Sequence, residues 1–207
     1  MAYLAVCDDA PYGRRRTLAT LLETDSVAPA VVGTEAEWHL FFDGAARGNP
    51  GPAAAGAILL QATPSSAAIV WATAKVLGEA TNNEAEFQAL IVGLAECRSR
   101  SIARITIPGD SALILHAMRT ARRPRAPKLV PMYQLAHHLR GGFSSCRWQH
   151  HRREYNRMAD GLANLALDQR RPATFTTTQV VPPSISRRLS SDLWGAAPRQ
   201  HEGAASM

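Results

Sequence analysis

The stretch that decides the fold is residues 81–100, which read TNNEAEFQALIVGLAECRSR. Either Asn82 or Asn83 is a good N-cap residue, and Glu84 and Glu86 place negative charge where the helix dipole favours it. Apolar residues then recur at helical spacing, at Phe87, Leu90, Ile91, Leu94 and Ala95. The pattern predicts an amphipathic helix that packs one face against a core.

Strand-like segments lie on both sides of this helix. Three apolar runs precede it, at residues 38–42, 54–61 and 67–76, with a glycine-rich stretch at 43–52 and a turn at 63–66. After it come a strand at 104–108, helices that begin at Ser111 and Pro131, a strand at 145–150 and a helix capped by Asn156. This order predicts an α/β fold with a five-stranded mixed sheet, three antiparallel strands and then two parallel ones, flanked by helices.

The composition is that of a globular protein. Of the 207 residues, 46% are hydrophobic and 19% are charged, and no apolar run approaches the roughly 20 residues that a membrane-spanning helix needs. Cys7, Cys97 and Cys146 form no CxxC pair, which disfavours a disulfide framework or a zinc site and indicates a reducing compartment. The pattern excludes a membrane protein. We expect an intracellular protein, cytoplasmic or nuclear, with an organelle left open.

Charge is unevenly distributed along the chain. The formal net charge is +6, from 23 lysines and arginines against 17 acids. Residues 1–36 are net acidic, residues 37–169 are net basic, and residues 170–207 hold five arginines against two acids. Because the periodic patterns lie within 37–169, we predict one folded domain there, between a poorly ordered N-terminal extension and a disordered C-terminal tail rich in Arg, Pro and Ser. The basic balance is compatible with a polyanionic partner, but charge alone does not decide it.

Four acidic residues lie at or beside apolar positions of predicted strands and helices, where a carboxylate is destabilising unless it has a function. Asp43 ends an apolar strand, Glu86 lies near the start of an apolar-faced helix, Asp110 follows the strand at 104–108, and Asp160 lies among apolar residues of the last helix. Strand ends and helix starts can converge on one edge of a sheet, where carboxylates repel one another and divalent cations relieve the repulsion. Oxygen ligands without His or Cys clusters favour Mg²⁺ or Mn²⁺. Taken singly, each acid also has a local explanation as a turn, dipole, cap or surface residue.

The residues around these acids form a set of short motifs. They read FDG at 42–44, GNPG at 48–51, TNNEAE at 81–86, GDS at 109–111, WQH at 148–150 and NRMAD at 156–160. In this order, over residues 37–169, the set resembles ribonuclease H of type 1. The resemblance implies a ribonuclease H-like fold. It also implies an endonuclease that hydrolyses the RNA strand of RNA–DNA hybrids and leaves 5′-phosphate and 3′-hydroxyl ends.

The resemblance implies roles for particular side chains. The two metal ions of the family, Mg²⁺ with Mn²⁺ as a substitute, would be held by Asp43, Glu86, Asp110 and Asp160. His150 stands where the family has a mobile histidine that moves a proton or helps to release product. The neighbouring His151 is the alternative carrier of that role, and a plain surface role for both histidines is the other interpretation.

Substrate contacts are implied at two places in the chain. Four residues match family positions that contact the 2′-hydroxyl, backbone or phosphate groups of a hybrid: Asn49, Thr81, Asn82 and Asn83. These residues are also explained by local roles in turns and caps. A cationic connector follows the second helix, and we expect Arg122 and Arg123 to contact phosphates there unless the loop is merely solvated. The prolines of this connector leave no room for the basic protruding helix of some family members.

Other functions fit parts of this pattern. The alternatives are a non-catalytic ribonuclease H-like module that binds nucleic acid and the ribonuclease H fragment of a retroelement polyprotein. Residues 1–36 do not resemble the separate hybrid-binding domain of many relatives. We expect a monomer whose partner is an RNA–DNA hybrid duplex and not a membrane.

Overall fold

The computed structural model describes residues 36–63, 67–153 and 156–176, and one mixed sheet runs through these ranges. Its strands in chain order are β1 (Glu37–Ala46), β2 (Gly51–Ala62), β3 (Ala67–Ala80), β4 (Arg104–Gly109), β5 (Ser145–His150) and β6 (Ala173–Thr176). They lie in the order β5-β4-β1-β2-β3-β6 across the sheet. The helices are α1 (Asn82–Ser99), α2 (Ala112–Thr120), α3 (Val130–Arg140) and α4 (Arg157–Gln169).

The strand directions agree with the sequence-based prediction. β2 pairs antiparallel with both β1 and β3, and β4 runs parallel to both β1 and β5. The predicted mixed sheet of three antiparallel and two parallel strands is therefore confirmed. A short sixth strand, β6, pairs antiparallel with β3 and was not predicted. It lies in the segment assigned to the C-terminal tail; the rest of that tail beyond residue 176, and residues 1–35, lie outside the described residues.

β1 extends further than its apolar run. The sequence placed its end at or near Asp43, but the strand continues to Ala46 because residues 43–46 pair with residues 53–56 of β2. Apart from Asp43, these positions are all glycine or alanine, which have little strand propensity of their own. Pairing between the strands, and not the local sequence, therefore sets the length of β1. The glycine-rich stretch shortens to a loop at residues 47–50.

Helices cover both faces of the sheet, and alternate residues of β1 enter two separate cores. Leu40 and Phe42 belong to a cluster that includes Phe87 of α1 and residues of α2 and α3. Phe41 belongs to a second cluster, on the other face, that includes Leu162 of α4. β1 is thus the central strand of a three-layer arrangement and is fixed from both sides.

The helices begin near the predicted residues, with one correction. The N-cap of α1 is Thr81, not Asn82 or Asn83. Thr81 and Glu84 form a capping box, in which the Glu84 N–H donates to Thr81 Oγ1 at 3.3 Å and the Thr81 N–H donates to Glu84 Oε2 at 2.7 Å. This reciprocal pair outweighs the intrinsic cap preference of asparagine. No helix in the described ranges is both long and apolar enough to cross a membrane.

The connector between α2 and α3 contains no protruding helix, as its prolines predict. Residues 121–126 are described in full and are irregular, and a single turn at Pro127–Leu129 leads into α3. Pro131 lies in the first turn of α3, where its missing N–H costs little. The connector therefore presents its cations on a short loop.

Candidate active site

The four acids singled out in the sequence occupy four different elements. Asp43 lies in β1, Glu86 in α1, Asp110 directly after β4, and Asp160 in the first turn of α4. β1 and β4 are parallel neighbours with His39 opposite Thr106, so that four residues further along both strands Asp43 and Asp110 lie at the same level. Two adjacent strands thus carry two of the acids to one edge of the sheet.

Two glycines let helices approach that edge closely. A Cβ on Gly44 would lie 2.1 Å from the backbone nitrogen of Glu86, so β1 touches the start of α1. A Cβ on Gly56, which pairs with Asp43, would lie 2.4 Å from the carbonyl oxygen of Ala159. No larger residue fits at either position without moving a helix. The Gly44 contact brings α1 onto β1, which carries Asp43, and the Gly56 contact brings α4 onto β2 beside Asp43. The sequence alone did not indicate this role for the glycines.

The four acids act on one another electrostatically. Asp43 is buried, and burial followed by the charges of Asp110, Asp160 and Glu86 raises the pKa of its carboxyl group to about 8. Burial is also the main cause that raises the pKa of Glu86, and the charge of Asp110 adds to it. The fold therefore gathers the four carboxyl groups within electrostatic range of one another.

Glu86 is held by neighbours on one side only. Its Oε1 accepts a hydrogen bond from Asn82 Nδ2 at 2.9 Å, and a hydrogen bond with the Ser111 hydroxyl opposes the rise of its pKa. Ser111 is the N-cap residue of α2, as predicted, but its side chain makes no capping bond. Glu86 Oε2 is buried and has no hydrogen-bond partner within the described part of the chain. One oxygen of Glu86 is therefore oriented by the protein and the other is available to a ligand.

The chemistry of this site fits a hard divalent cation. The fit rests on a buried carboxyl group whose ionisation is opposed by three other acids, and on the unpaired oxygen of Glu86 beside it. In residues 36–63, 67–153 and 156–176, no three His, Cys, Asp or Glu side chains close around a single point. Arg153 Nη2 lies 3.5 Å from Asp160 Oδ1 and offsets part of the negative charge.

Asn156 is a site residue to which the sequence analysis assigned only helix capping. It occupies the N-cap position of α4, as predicted, but its side chain makes no capping bond. Its Nδ2 donates instead to the carbonyl oxygen of Phe42 at 2.9 Å and to Asp110 Oδ1 at 3.1 Å. The only signal for this role in the sequence is its place in the NRMAD motif, because both partners lie far away along the chain.

The two candidate histidines differ in their surroundings. His150 ends β5 opposite Gly109, one residue before Asp110, and its side chain is exposed. The neighbouring His151 is half-buried, its backbone N–H donates to the Gly109 carbonyl at 2.8 Å, and its ring forms a T-shaped pair with Phe41, with ring centroids 6.3 Å apart. The packing of His151 favours a structural role, which leaves His150 as the exposed imidazole near the acids.

The asparagines implied in substrate contact meet at the start of α1. Asn49 Oδ1 accepts a hydrogen bond from the Asn82 backbone N–H at 3.1 Å, which joins the loop at 47–50 to α1. Asn49, Asn82 and Asn83 are all exposed. The Thr81 hydroxyl is engaged with Glu84 Oε2 at 2.7 Å. Three amides are thus presented together, while Thr81 serves the helix start.

The predicted phosphate contacts, Arg122 and Arg123, are exposed on the connector after α2. The backbone hydrogen bond from Thr81 is the main cause that lowers the pKa of Glu84, and the charge of Lys128 also lowers it. Lys128, at the end of this connector, is therefore close enough to the start of α1 to act on Glu84.

Comparison with known proteins identifies relatives that match about three fifths of this chain. The ribonuclease HI of Halobacterium salinarum is 39% identical over 130 residues, which cover 63% of this chain and 64% of that protein. A bifunctional protein of Mycobacterium tuberculosis is 34% identical over 126 residues, which cover 61% of this chain and 34% of that protein. The chain therefore spans less than two thirds of the length of each of these curated relatives.

Solved structures and a family model cover this region too. The crystal structure of RNase H1 from Halobacterium salinarum has a TM-score of 0.59 at 38% identity, over 64% of this chain and 98% of that one. LC11-RNase H1 in complex with an RNA/DNA hybrid has a TM-score of 0.59 at 28% identity, over 65% of this chain and 99% of that one. The family model described as reverse transcriptase-like matches residues 41–166. Because this match covers more than half of the chain and the similar structures are type 1 enzymes, the chain belongs to the reverse transcriptase-like family, among the ribonucleases H of type 1.

Proposed function

We propose that this protein is an endoribonuclease that hydrolyses the RNA strand of RNA–DNA hybrids and leaves 5′-phosphate and 3′-hydroxyl ends. The observation that carries the proposal is the gathering of four acids from four elements, in which burial and the other three charges raise the pKa of Asp43 to about 8. Groups perturbed in this way concentrate at functional sites, and carboxylates serve hard cations there. The complex of a structural relative with an RNA/DNA hybrid supports the choice of substrate.

Cation binding is assigned to Asp43, Glu86, Asp110 and Asp160. Two Mg²⁺ ions are the expected occupants, with Mn²⁺ as a substitute. When bound, such ions supply Lewis acidity at the scissile phosphate. The protein supplies the orientation, since Asn82 holds one oxygen of Glu86 and Asn156 holds one oxygen of Asp110. The burial of Asp43 lowers the local dielectric constant and so strengthens its attraction to a cation.

Exposed polar side chains around the acids are suited to a hybrid duplex. The amides of Asn49, Asn82 and Asn83 both donate and accept hydrogen bonds, which is what recognition of 2′-hydroxyl groups requires. Arg122 and Arg123, on the connector after α2, supply exposed positive charge for phosphates. To the exposed imidazole of His150, which pairs with the residue before Asp110, we assign the movement of a proton or help in the release of product.

The deciding experiment is cleavage of an end-labelled RNA annealed to DNA, in Mg²⁺ and in Mn²⁺, beside single-stranded and double-stranded RNA. We expect internal cuts in the hybrid RNA only, abolished in Asp110→Asn and retained in Glu96→Gln. The latter changes an acid at the far end of α1, where it pairs with Arg100 at 2.7 Å. An intact protein that cuts nothing with either cation would refute the nuclease activity. Equal cutting of double-stranded RNA would refute the specificity for hybrids.

The non-catalytic alternative makes a different prediction. A module that only binds nucleic acid would hold the hybrid without cutting it in either cation. Gathered carboxylates weaken attraction to a polyanion unless cations neutralise them, so the four acids favour the enzyme. Hybrid affinity that is independent of divalent cations, together with no cleavage, would instead support the binding module.

A further inference from the structure

Asn156 makes its contacts across the site and not along its own helix. It is 2% exposed, at the junction between β5 and α4. One amide hydrogen bonds the carbonyl oxygen of Phe42, the residue before Asp43, and the other bonds Asp110 Oδ1. The Asn156 carbonyl oxygen accepts the backbone N–H of Asp160 at 3.1 Å. One residue is therefore linked directly to two of the four acids and to the residue that precedes a third.

The orientation of the amide follows from its partners. Both groups that face Nδ2 are acceptors, a backbone carbonyl and a carboxylate, so a flipped amide would set its own oxygen against two others. The amide oxygen, Oδ1, is buried and has no hydrogen-bond partner among the described residues. Only the orientation in which Nδ2 donates both hydrogens is compatible with these two neighbouring oxygens.

This arrangement does not serve the helix alone. An N-cap asparagine normally uses its side-chain oxygen to accept a backbone N–H of the first turn, and here that oxygen is left unpaired. Both hydrogens are used instead to join α4 to β1 and to the end of β4. The structure therefore gives up a stabilising cap and keeps two bonds that fix the relative positions of acid-bearing elements.

We propose that Asn156 is a positioning residue for cation binding. Its amide fixes the rotamer of Asp110 and seats the start of α4, with Asp160, against the strand of Asp43. The inference rests on the proposed function because it assumes that these acids hold divalent cations. Its consequence is that removal of the double donor weakens cation binding while the surface that meets the hybrid stays intact.

The test compares Asn156→Ala and Asn156→Asp with two controls on the same helix. Asn156→Asp keeps the shape but replaces the donor by an oxygen. Asn164→Ala removes a matched amide, which donates to the Asp160 carbonyl oxygen at 2.9 Å. Leu162→Ala weakens the packing of α4 without touching an acid. Cation affinity is measured by calorimetry with Mg²⁺ and with Mn²⁺ in the absence of nucleic acid, beside Tm, kcat and KM.

We expect both Asn156 variants to raise the Kd for Mg²⁺ by about 10- to 100-fold, the usual cost of removing an outer partner of a metal ligand. At limiting Mg²⁺ kcat should fall in parallel, while KM for the hybrid stays near that of the wild type. Asn156→Ser, which keeps one donor, should lie between the wild type and Asn156→Ala, and it also serves if the alanine variant does not fold. The two control variants should keep the cation affinity of the wild type whatever their Tm.

Two results with the variants would overturn the inference. One is a folded Asn156→Ala or Asn156→Ser protein with unchanged cation affinity, and the other is the same fall in affinity in Leu162→Ala. A wild-type protein that binds no divalent cation would also overturn it. If the wild type binds cations but cuts no hybrid, the proposed function fails by itself, and the cation affinities of the variants still decide the role of Asn156.

Discussion

β1 carries two buried ionisable side chains, four residues apart on the same face, whose surroundings differ. His39 is 1% exposed and Asp43 is 7% exposed. Burial lowers the pKa of His39 to about 4, and burial with three other acids raises the pKa of Asp43 to about 8. Desolvation thus disfavours the charged form at both positions on the strand.

The difference lies in the charges around the two groups. His39 has neighbours of both signs, since Glu37 raises its pKa while His151 and Arg147 lower it. The 3.6 Å approach of His39 Nε2 to Glu37 Oε2 is consequently not an ion pair at neutral pH, because burial keeps the imidazole neutral. Asp43 has neighbours of one sign, brought by three other elements. Burial alone is typical of a packed residue, whereas burial among like charges from separate elements is typical of a site.

The largest effect that can test this contrast is expected from Asp43→Asn. Cleavage of the hybrid should fall by more than about 100-fold, because a direct ligand is worth more than the outer partners that cost up to that amount. The Tm of the cation-free protein should rise, because the substitution removes a buried group whose charge three acids oppose. Cleavage assays and thermal denaturation in a chelator measure the two effects. A lower Tm together with retained cleavage would show that Asp43, like His39, is a packed residue and not part of the site.

A smaller effect, on stability alone, is expected at His39. The histidine is neutral in the folded protein down to about pH 4, while in the unfolded chain it takes up a proton near its ordinary pKa of 6.5. His39 therefore does not lower the free energy of unfolding above pH 6.5. As the pH falls from 6.5 towards 4, protonation of this histidine in the unfolded chain lowers the free energy of unfolding by about 3 kcal/mol. In His39→Leu that part of the pH dependence should be absent, and cleavage at neutral pH should persist. Urea denaturation between pH 4 and pH 8 gives the difference, and parallel curves for the two proteins would contradict it.

Several features of the fold and the site could be predicted because their signals are local or repeated. The strands and helices followed from short apolar runs, helical spacing and glycine or proline breaks. The four acids stood out because each belongs to a short motif and the motifs occur in one order. The cap at Thr81 also has a local signal, since a threonine three residues before Glu84 is a capping-box pattern, whereas the predicted caps at Asn82 or Asn83 rested on the intrinsic preference of asparagine.

Other features depend on contacts between distant residues, which no local pattern encodes. The continuation of β1 beyond Asp43 depends on its pairing with β2, since glycine and alanine have low strand propensity. The role of Asn156 depends on an oxygen that lies 114 positions away in sequence. The fit of Gly44 against α1 depends on a helix that comes about forty residues later in the chain. In each case the residue type was visible, and only the three-dimensional arrangement showed its partner.

Thr81 lies at the site end of the molecule, yet its expected effect is structural. Thr81→Ala removes the capping box of α1 and should cost about 1 kcal/mol of stability, as removal of such caps usually does. Cleavage per folded molecule should change little, because the hydroxyl is engaged with Glu84 and not with an acid of the site. Thr81→Ser is the matched control and should restore the stability. A large fall in kcat in a folded Thr81→Ala protein would contradict this. It would show that a residue outside the four mutually repelling acids also contributes to cleavage.

The smallest effect is expected at the exposed cations of the connector after α2. Arg122→Ala and Arg123→Ala should leave stability unchanged, since both side chains are exposed, and should reduce the slope of log Kd against log salt by about 0.9 for each phosphate that is no longer neutralised. Arg104→Ala is the matched control, because Arg104 is also exposed but lies at the opposite end of β4 from Asp110. Fluorescence anisotropy of a labelled hybrid with Ca²⁺ in place of Mg²⁺ measures binding without cutting. If all three variants show the same salt slope, the connector does not contact the phosphates of the substrate. The contacts assigned to the substrate would then be limited to the acids and the asparagines.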